Sequence, residues 1–309
     1  MINEPPGFSA QIEMFPGLSR AMLRPMLGDH PVAFRHTLGH DPRFAPDVIA
    51  PLVAALPAAW IRADRSQYSP HEPRGLEQLD ADADLDAVVR SLATAPASIR
   101  AYNLEHTAEF RDLHRALEPS VRDLVGDAEG GVVAVNLGTF LASPDSVTPA
   151  HPDRHHNLLL QVSGRKEVWV EDDPDRRAHH LRVVDYLRRP QDGAPVLPPG
   201  KCFILGPGDG VYIPPYAFHW TTVLDGPAVG LSVGVSTPCT VRSGTVHDFD
   251  VRLRRRGLRP RPSGLGSPRE RVKARLATAS VRAARIRDRV VKRPVRGTVG
   301  VGREVDDAR

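Results

Sequence analysis

The sequence is poor in cysteine and lacks long apolar runs, and each absence excludes a class of protein. Its 309 residues contain only two cysteines, Cys202 and Cys239, too few for a disulfide framework or a thiolate metal site. No apolar run approaches the roughly 18 residues of a membrane-spanning helix. Residues 1–6 lack the basic start and apolar stretch of a secretory signal. We therefore expect a soluble, cytoplasmic protein.

Basic charge is concentrated at the C-terminus. Residues 251–309 hold 19 of the 41 Lys and Arg residues but only 5 of the 37 Asp and Glu residues. The acidic body and the basic tail can therefore have separate partners. An amphipathic helix is predicted at residues 268–293. It either packs on the body, pairs with a second subunit in a homodimer, or contacts nucleic acid or an anionic membrane surface. Base stacking is excluded there, because no aromatic residue follows Phe249.

Glycine and proline are abundant and divide the middle of the chain into short β-rich runs. The 30 prolines and 25 glycines favour turns and short strands over a helical bundle. We predict strands at residues 131–137, 158–162, 167–170, 201–205, 210–213, 220–224 and 229–235. This pattern is typical of a mainly β core of the jelly-roll or barrel type.

The sequence before this core is mixed in character. Apolar spacing predicts helices at residues 84–92 and 108–124, a weaker helix at 47–56 and a strand at 97–102. Pro119 is expected to kink or split the second helix, and the polar residues 62–77 are predicted to form a loop. The chain is thus divided into an N-terminal mixed α/β region (1–125), a β core (126–240) and a basic C-terminal tail (241–309).

Two short motifs together provide the donor set of a metal site. His151 and Asp153 are separated by one residue in an extended segment, so their side chains point to the same side. His219 follows much later, on a different predicted strand. Either motif alone has an ordinary structural or surface explanation. Together, two imidazoles and one carboxylate on one face leave coordination positions open, as expected of non-haem Fe(II) oxygenases.

The surroundings of both motifs resemble a known family. The first run, residues 148–166, reads Thr-Pro-Ala-His-Pro-Asp-Arg-His-His-Asn-Leu-Leu-Leu-Gln-Val-Ser-Gly-Arg-Lys, and the second, residues 208–220, reads Gly-Asp-Gly-Val-Tyr-Ile-Pro-Pro-Tyr-Ala-Phe-His-Trp. They are similar to the metal-binding segments of the JmjC/cupin-like oxygenases, which include the asparaginyl hydroxylase of hypoxia-inducible factor. The resemblance implies a double-stranded β-helix, iron ligands at His151, Asp153 and His219, and Fe(II)- and 2-oxoglutarate-dependent oxygenation.

The same resemblance assigns three residues to the cofactor. Lys166 matches the lysine that pairs with the distal carboxylate of 2-oxoglutarate, Thr148 a threonine that contacts the same carboxylate, and Asn157 an asparagine near the cofactor. A buried cation suits the free end of a dicarboxylate that chelates iron by its keto-acid end. The alternative for Lys166 is a solvated lysine after a turn. Gly234 stands where the family often has an asparagine, which is expected to leave more room near the cofactor.

Further residues are weaker candidates for the pocket. Candidates for its wall are Tyr102, Asn136, Trp220, His155 and His156, each equally compatible with a structural or exposed position. Arg154 either meets an acidic substrate group or faces solvent. The pair His179-His180 is expected at the surface.

The sequence predicts oxygenation of a C–H bond but leaves the substrate open. The resemblance favours a protein or peptide side chain, and a small molecule is the alternative. No cysteine-rich metal finger is present, which argues against histone demethylation. The alternative from a different class is a non-catalytic metal-binding cupin, used as a sensor or binding module, with a tail that contacts nucleic acid.

Overall fold

A computed structural model describes residues 14–64, 69–72, 79, 83–173, 175–189, 192, 197–264 and 266–291. The described α-helices are α1 (Arg20–Leu23), α2 (Pro46–Ala54), α3 (Leu85–Arg90), α4 (Ala108–Val125), α5 (Arg176–Arg188), α6 (Pro238–Arg255) and α7 (Pro268–Val291). The described strands are β1 (Val32–Arg35), β2 (Ile61–Asp64), β3 (Ser98–Tyr102), β4 (Ala134–Ala142), β5 (Val147–Pro152), β6 (His156–Glu171), β7 (Gly200–Leu205), β8 (Asp209–Ile213) and β9 (Phe218–Ser236).

The strands form an antiparallel sheet built around the two long strands β6 and β9. These pair along most of their length, from His156 opposite Val235 to Val170 opposite His219. The first half of β6 lies beside the second half of β9, flanked by β8 and β4. The second half of β6 lies beside the first half of β9, flanked by β7 and β5. The two halves face each other as a double-stranded β-helix, which confirms the predicted fold class.

The sheet buries side chains on both faces. Inside the β-helix, Leu159 from the first half of β6 packs with Val168 and Val170 from the second half. On the outside, Leu158 and Leu160 join the larger core to which α4 contributes. Successive residues of a strand point to opposite faces, and residues directly opposite across a ladder share a face. The ladder therefore identifies which side chains enter the β-helix.

Two pairs of strands that were predicted separately are continuous. Residues 158–162 and 167–170 both belong to β6, and residues 220–224 and 229–235 both belong to β9. β6 bends through Gly164, which has a φ of +68°. A Cβ there would lie 2.7 Å from the Pro227 carbonyl oxygen, so glycine lets the two strands cross this bend together. Register shifts at the bend take the place of a turn between the two predicted strands.

The helices predicted from apolar spacing are present. α3 begins after Asp84, whose carboxylate accepts a hydrogen bond from the Ala87 N–H, and α2 covers most of the weaker prediction. α4 runs unbroken past Pro119, so the expected split is wrong. Pro119 lies on the solvent-exposed side of this helix. Helices α5 and α6 were not predicted from the sequence.

The N-terminal region contributes strands to the same sheet as the core. β1 pairs with β8, and β3 pairs with β4 and β2. β2 occupies the first residues of the predicted loop at 62–77, so the prediction is wrong there. Residues 65–68 and 73–77 of that loop lie outside the described part. The division of the chain at residues 125 and 240 stays a prediction.

The C-terminal helix packs on the body of the protein. α7 lies against α6, and its Glu270 pairs with Arg242. The Lys273 ammonium lies 2.6 Å from the Asp250 carboxylate of α6. Ala277 on the same side of α7 is fully buried. Among the described residues, no helix combines the length and the apolar character that crossing a membrane requires.

Candidate metal centre

Three potential ligands converge at one end of the β-helix. His151 of β5 lies opposite His219 of β9 in the ladder, and the centroids of their rings are 4.3 Å apart. The Nε2 atoms of His151 and His219 lie 3.9 and 3.7 Å from the Asp153 carboxylate. Donor atoms of the three residues all lie within 4.8 Å of one another. The structure therefore brings the three predicted ligands together.

Backbone contacts determine which nitrogen of each imidazole faces this point. The Nδ1 atom of His151 lies 2.8 Å from the Pro149 carbonyl oxygen, and that of His219 lies 3.0 Å from the Ala217 carbonyl oxygen. A carbonyl oxygen only accepts hydrogen bonds, so each Nδ1 carries the proton and donates it. The lone pair of each Nε2 is thereby directed to the side of Asp153, as metal-ligating histidines require.

This donor set suits a metal of the iron type. Two neutral imidazoles and one carboxylate occupy one side and leave the other coordination positions open to exogenous ligands. Within the described part of the chain, no fourth His, Cys, Asp or Glu joins the cluster. A closed structural zinc site, with four protein ligands, is therefore not formed by these residues.

An amide and a hydroxyl orient the carboxylate of the cluster. The Asn157 Nδ2 donates a long hydrogen bond of 3.5 Å to the Asp153 Oδ2. The Ser232 hydroxyl donates to the Asn157 Oδ1 over 2.8 Å, which turns the amide nitrogen towards Asp153. Asn157 and Ser232 are both buried. Contacts of this kind hold a metal ligand in position and strengthen metal binding.

We expect the Asn157→Ala variant to bind Fe(II) or Mn(II) about 10- to 100-fold more weakly, the effect typical of a lost outer contact. Metal titration without 2-oxoglutarate measures this, so that any contact of Asn157 with the cofactor does not contribute. Asn136→Ala is the matched control, since Asn136 lies in the same pocket but donates to Glu105. An unchanged affinity in Asn157→Ala would contradict this role.

Lys166 and Thr148 lie on the same inner face as the histidines. Lys166 is opposite Val223, four residues beyond His219 on β9. Thr148 lies opposite Thr221, which is midway between them. The Lys166 side chain is buried, and burial lowers its pKa from 10.5 to about 8. No acidic side chain contributes to this shift, so among the described residues the ammonium has no carboxylate to compensate its burial.

A pocket of about 130 Å³ opens beside the three potential ligands. Its wall includes His151, Asp153, Tyr102, Asn136, Phe140 and His155. The Glu105 carboxylate accepts hydrogen bonds from the Asn136 amide and from the Leu137 backbone N–H. Sequence reasoning missed Glu105 and Ser232, because neither lies in a metal-binding motif. Their only sequence signal is a polar residue type beside a predicted strand.

Of the remaining candidates, some line the pocket and others do not. Tyr102, Asn136 and His155 line it. His156 is buried instead, between the Tyr212 hydroxyl at 2.8 Å and the Glu129 carboxylate at 3.0 Å. Trp220 stacks on Trp169, Arg154 pairs with Asp248 at the surface, and His180 is buried against Asp250, so its expected surface position is wrong.

The space beside Gly234 is filled. A Cβ at this position would lie 2.8 Å from the Cδ2 and Nε2 atoms of His155. The expectation that glycine leaves additional room near the cofactor is therefore wrong, because the imidazole of His155 occupies that room.

Comparisons with known proteins give the following matches. The JmjC domain family matches residues 122–242, which confirms the resemblance seen in the two motifs. A crystal structure of YcfD from E. coli has 17% identity and a TM-score of 0.49, over 84% of this chain and 66% of that chain. A structure of YcfD, a ribosomal oxygenase from Escherichia coli, in complex with cobalt and 2-oxoglutarate has 16% identity and a TM-score of 0.48, over 89% and 66%. This chain thus spans slightly less than two thirds of their length. No curated protein matches the sequence.

Proposed function

Because residues 122–242 of this chain are a JmjC domain, we propose that the protein is an Fe(II)- and 2-oxoglutarate-dependent oxygenase. In this proposal His151, Asp153 and His219 bind the iron. Lys166, Thr148 and Asn157 bind 2-oxoglutarate. Bound iron with this cofactor and O₂ supplies the oxidative decarboxylation to succinate and CO₂ and the transfer of one oxygen atom to a C–H bond. The protein supplies binding, orientation and exclusion of water.

The observation that carries the proposal is the placement of an uncompensated buried ammonium on the face of the metal ligands. Four residues of strand separate the ladder positions of His219 and Lys166, which corresponds to roughly 13 Å along the strand. The lysine ammonium stands at the end of a long, flexible side chain and can bridge part of this distance. The interval that remains suits a short dicarboxylate, with one end at the open metal positions and the other on the ammonium.

The other cofactor residues follow from the same ladder. Thr148 lies between the two ends, and we assign its hydroxyl as a donor to the carboxylate that Lys166 binds. Asn157 lies at the metal end, where its amide nitrogen already faces Asp153. No group in this arrangement has to act as a general acid or base, since the C–H bond is attacked without a side-chain proton transfer. The positions of these residues thus determine binding and orientation only.

For the substrate we propose a side chain of a protein or peptide. The pocket of about 130 Å³ is smaller than the roughly 300–1,000 Å³ of sites that enclose a whole drug-sized ligand. The cofactor would take part of this pocket, so the space that is left suits one inserted side chain, with the rest of the substrate outside. A small molecule remains the alternative.

We expect the protein to take up a proton when 2-oxoglutarate binds at alkaline pH. The free protein has Lys166 with a pKa of about 8, and only the ammonium form attracts a carboxylate. Above pH 8 the neutral lysine must gain a proton when 2-oxoglutarate binds, so the Kd rises by up to about tenfold per pH unit. Calorimetry at pH 9 in two buffers of different ionisation enthalpy measures the uptake. Binding without proton uptake would contradict the assignment of Lys166.

Product analysis tests the proposed activity. With Fe(II), O₂ and 2-oxoglutarate, the protein should form succinate slowly without a substrate and faster with one. Peptides from a cellular extract should gain the mass of one oxygen atom only when 2-oxoglutarate is present. Formation of succinate without any modified peptide would favour the small-molecule alternative. No succinate under any condition would contradict the oxygenase proposal.

We propose that the basic C-terminal segment contacts the remaining partners. Val272 and Leu276 are exposed one turn apart on α7, on the side away from α6, which supports a contact with a second subunit. Arg271 and Arg275 beside them are also exposed and are available to phosphates. A homodimer through α7 and nucleic-acid contact through the tail are therefore proposed as alternatives for the same surface.

A further inference from the structure

His155 enters the pocket at its metal end. It follows Asp153 by two residues, and it lines the same pocket as His151 and Asp153. Its ring lies over Gly234. Gly234 is opposite Asn157 in the ladder, and Asn157 is the residue whose amide contacts Asp153. The His155 ring therefore lies in the pocket that two of the three potential metal ligands line.

The absence of a side chain at position 234 is what admits this imidazole. The backbone at Gly234 does not have a positive φ, so β9 does not require glycine for conformational reasons. The three atoms nearest to a Cβ there would all belong to the ring of His155, with Cδ2 and Nε2 both at 2.8 Å. Glycine at 234 and histidine at 155 therefore form a steric pair, in which a side chain at one position displaces the other from the pocket.

The ring of His155 has hydrogen-bonding capacity that the rest of the described chain does not use. Neither of its nitrogens has a hydrogen bond to another described residue. An imidazole N–H in the pocket that the potential metal ligands line is suited to a ligand oxygen that carries negative charge. In the proposed function, the carboxylate of 2-oxoglutarate that binds the metal is such a group.

We propose that His155 donates a hydrogen bond to the metal-proximal carboxylate of 2-oxoglutarate and that Gly234 is required because it leaves space for the ring. This inference rests on the proposed function. It assigns to one histidine, outside the metal ligands, a direct role in holding the cofactor. The role depends on the position of the ring and on one N–H group, and the metal ligands bind the ion without it.

A set of four variants tests the pair. His155→Ala is expected to raise the Kd for 2-oxoglutarate about tenfold through loss of one hydrogen bond to a charged group. Gly234→Ala is expected to do the same by displacing the ring. The double variant should equal either single variant, because each removes the same contact. Gly234→Asn in the His155→Ala background places an amide in the vacated space and should recover part of the affinity.

Gly230→Ala is the matched control. Gly230 lies on the same face of β9, and a Cβ there would make only ordinary contacts, the nearest at 3.5 Å. It should leave the Kd unchanged. The readout is an anaerobic titration of the Fe(II)-bound protein with 2-oxoglutarate, followed by the visible metal-to-ligand charge-transfer band. Binding of Mn(II) alone should be the same in all variants, which shows that the metal site is intact.

The outcomes separate this inference from the function on which it rests. An absent band in the unsubstituted protein would overturn the proposed function. A normal band with a Kd in His155→Ala within twofold of the unsubstituted protein would overturn only the role of His155. Additive losses in the double variant would also overturn it, because Gly234→Ala would then act through a contact other than the imidazole.

Discussion

Replacing Lys166 by methionine is expected to abolish 2-oxoglutarate binding and to make the cofactor-free protein more stable. Methionine has a similar length and no charge, so it fills the same buried space. Removing one partner of a buried ion pair costs about 3–5 kcal/mol, which corresponds to a loss of affinity of roughly a hundredfold or more. Metal binding should remain, since Lys166 lies opposite Val223, four residues along β9 from His219.

The gain in stability follows from the direction of the pKa shift. In the folded state burial holds the Lys166 pKa at about 8, whereas the unfolded chain has the ordinary value of 10.5. At neutral pH the folded protein must therefore hold an unfavourable charge, at a cost of about 3 kcal/mol. This cost falls as the pH rises from 8 to 10.5, so it is greatest below pH 8. Lys166→Met removes it.

Thermal unfolding at pH 7 tests both effects in one experiment. Without 2-oxoglutarate, Lys166→Met should unfold at a higher temperature than the unsubstituted protein. With Fe(II) and 2-oxoglutarate, only the unsubstituted protein should be further stabilised. The solvent-exposed Lys201 provides a control, since Lys201→Met should keep its response to 2-oxoglutarate. If Lys166→Met responded to 2-oxoglutarate as the unsubstituted protein does, the assignment of Lys166 would be wrong.

Loss of one metal ligand is expected to have the other large effect. Alanine at His219 removes one of three donors, so the affinity for Fe(II) should fall by more than the roughly 10- to 100-fold of a lost outer contact. The variant should still fold, because the neighbouring Phe218 and Ala217 remain buried in the β-helix.

His106→Ala is the control for this loss. His106 is a solvent-exposed histidine outside the cluster, with 64% of its side chain accessible. Competition with a coloured chelator compares the affinities. Equal affinities in His219→Ala and His106→Ala would contradict the metal site.

The fold class and the shared side of His151 and Asp153 could be predicted because local sequence patterns determine them. His151 and Asp153 are separated by one residue on an extended segment, and this spacing alone places them on one side. Short apolar runs and runs of alternating apolar and polar residues predicted the strands. The strand prediction breaks where β6 bends, because the Ser163-Gly164 pair has the same composition in a bulge as in a hairpin.

Contacts between distant segments could not be predicted. His180 was expected at the surface because its neighbours in sequence are polar, but its partner Asp250 lies 70 residues later on a helix that was not predicted. Ser232 orients Asn157 across the ladder, although the two residues are 75 positions apart in the sequence. Glycine at position 234 was expected to leave empty space, because the sequence does not show that the His155 ring enters that space. Such features depend on tertiary packing.

The most direct test of the proposed site is an anaerobic titration of the protein with Fe(II) and then 2-oxoglutarate, observed in the visible range. It requires no substrate. We expect a weak metal-to-ligand charge-transfer band that is absent in His151→Ala and that requires a large excess of 2-oxoglutarate in Lys166→Ala. Iron binding without the band would contradict the cofactor site and favour a non-catalytic metal-binding cupin. The absence of iron binding would contradict the metal centre itself.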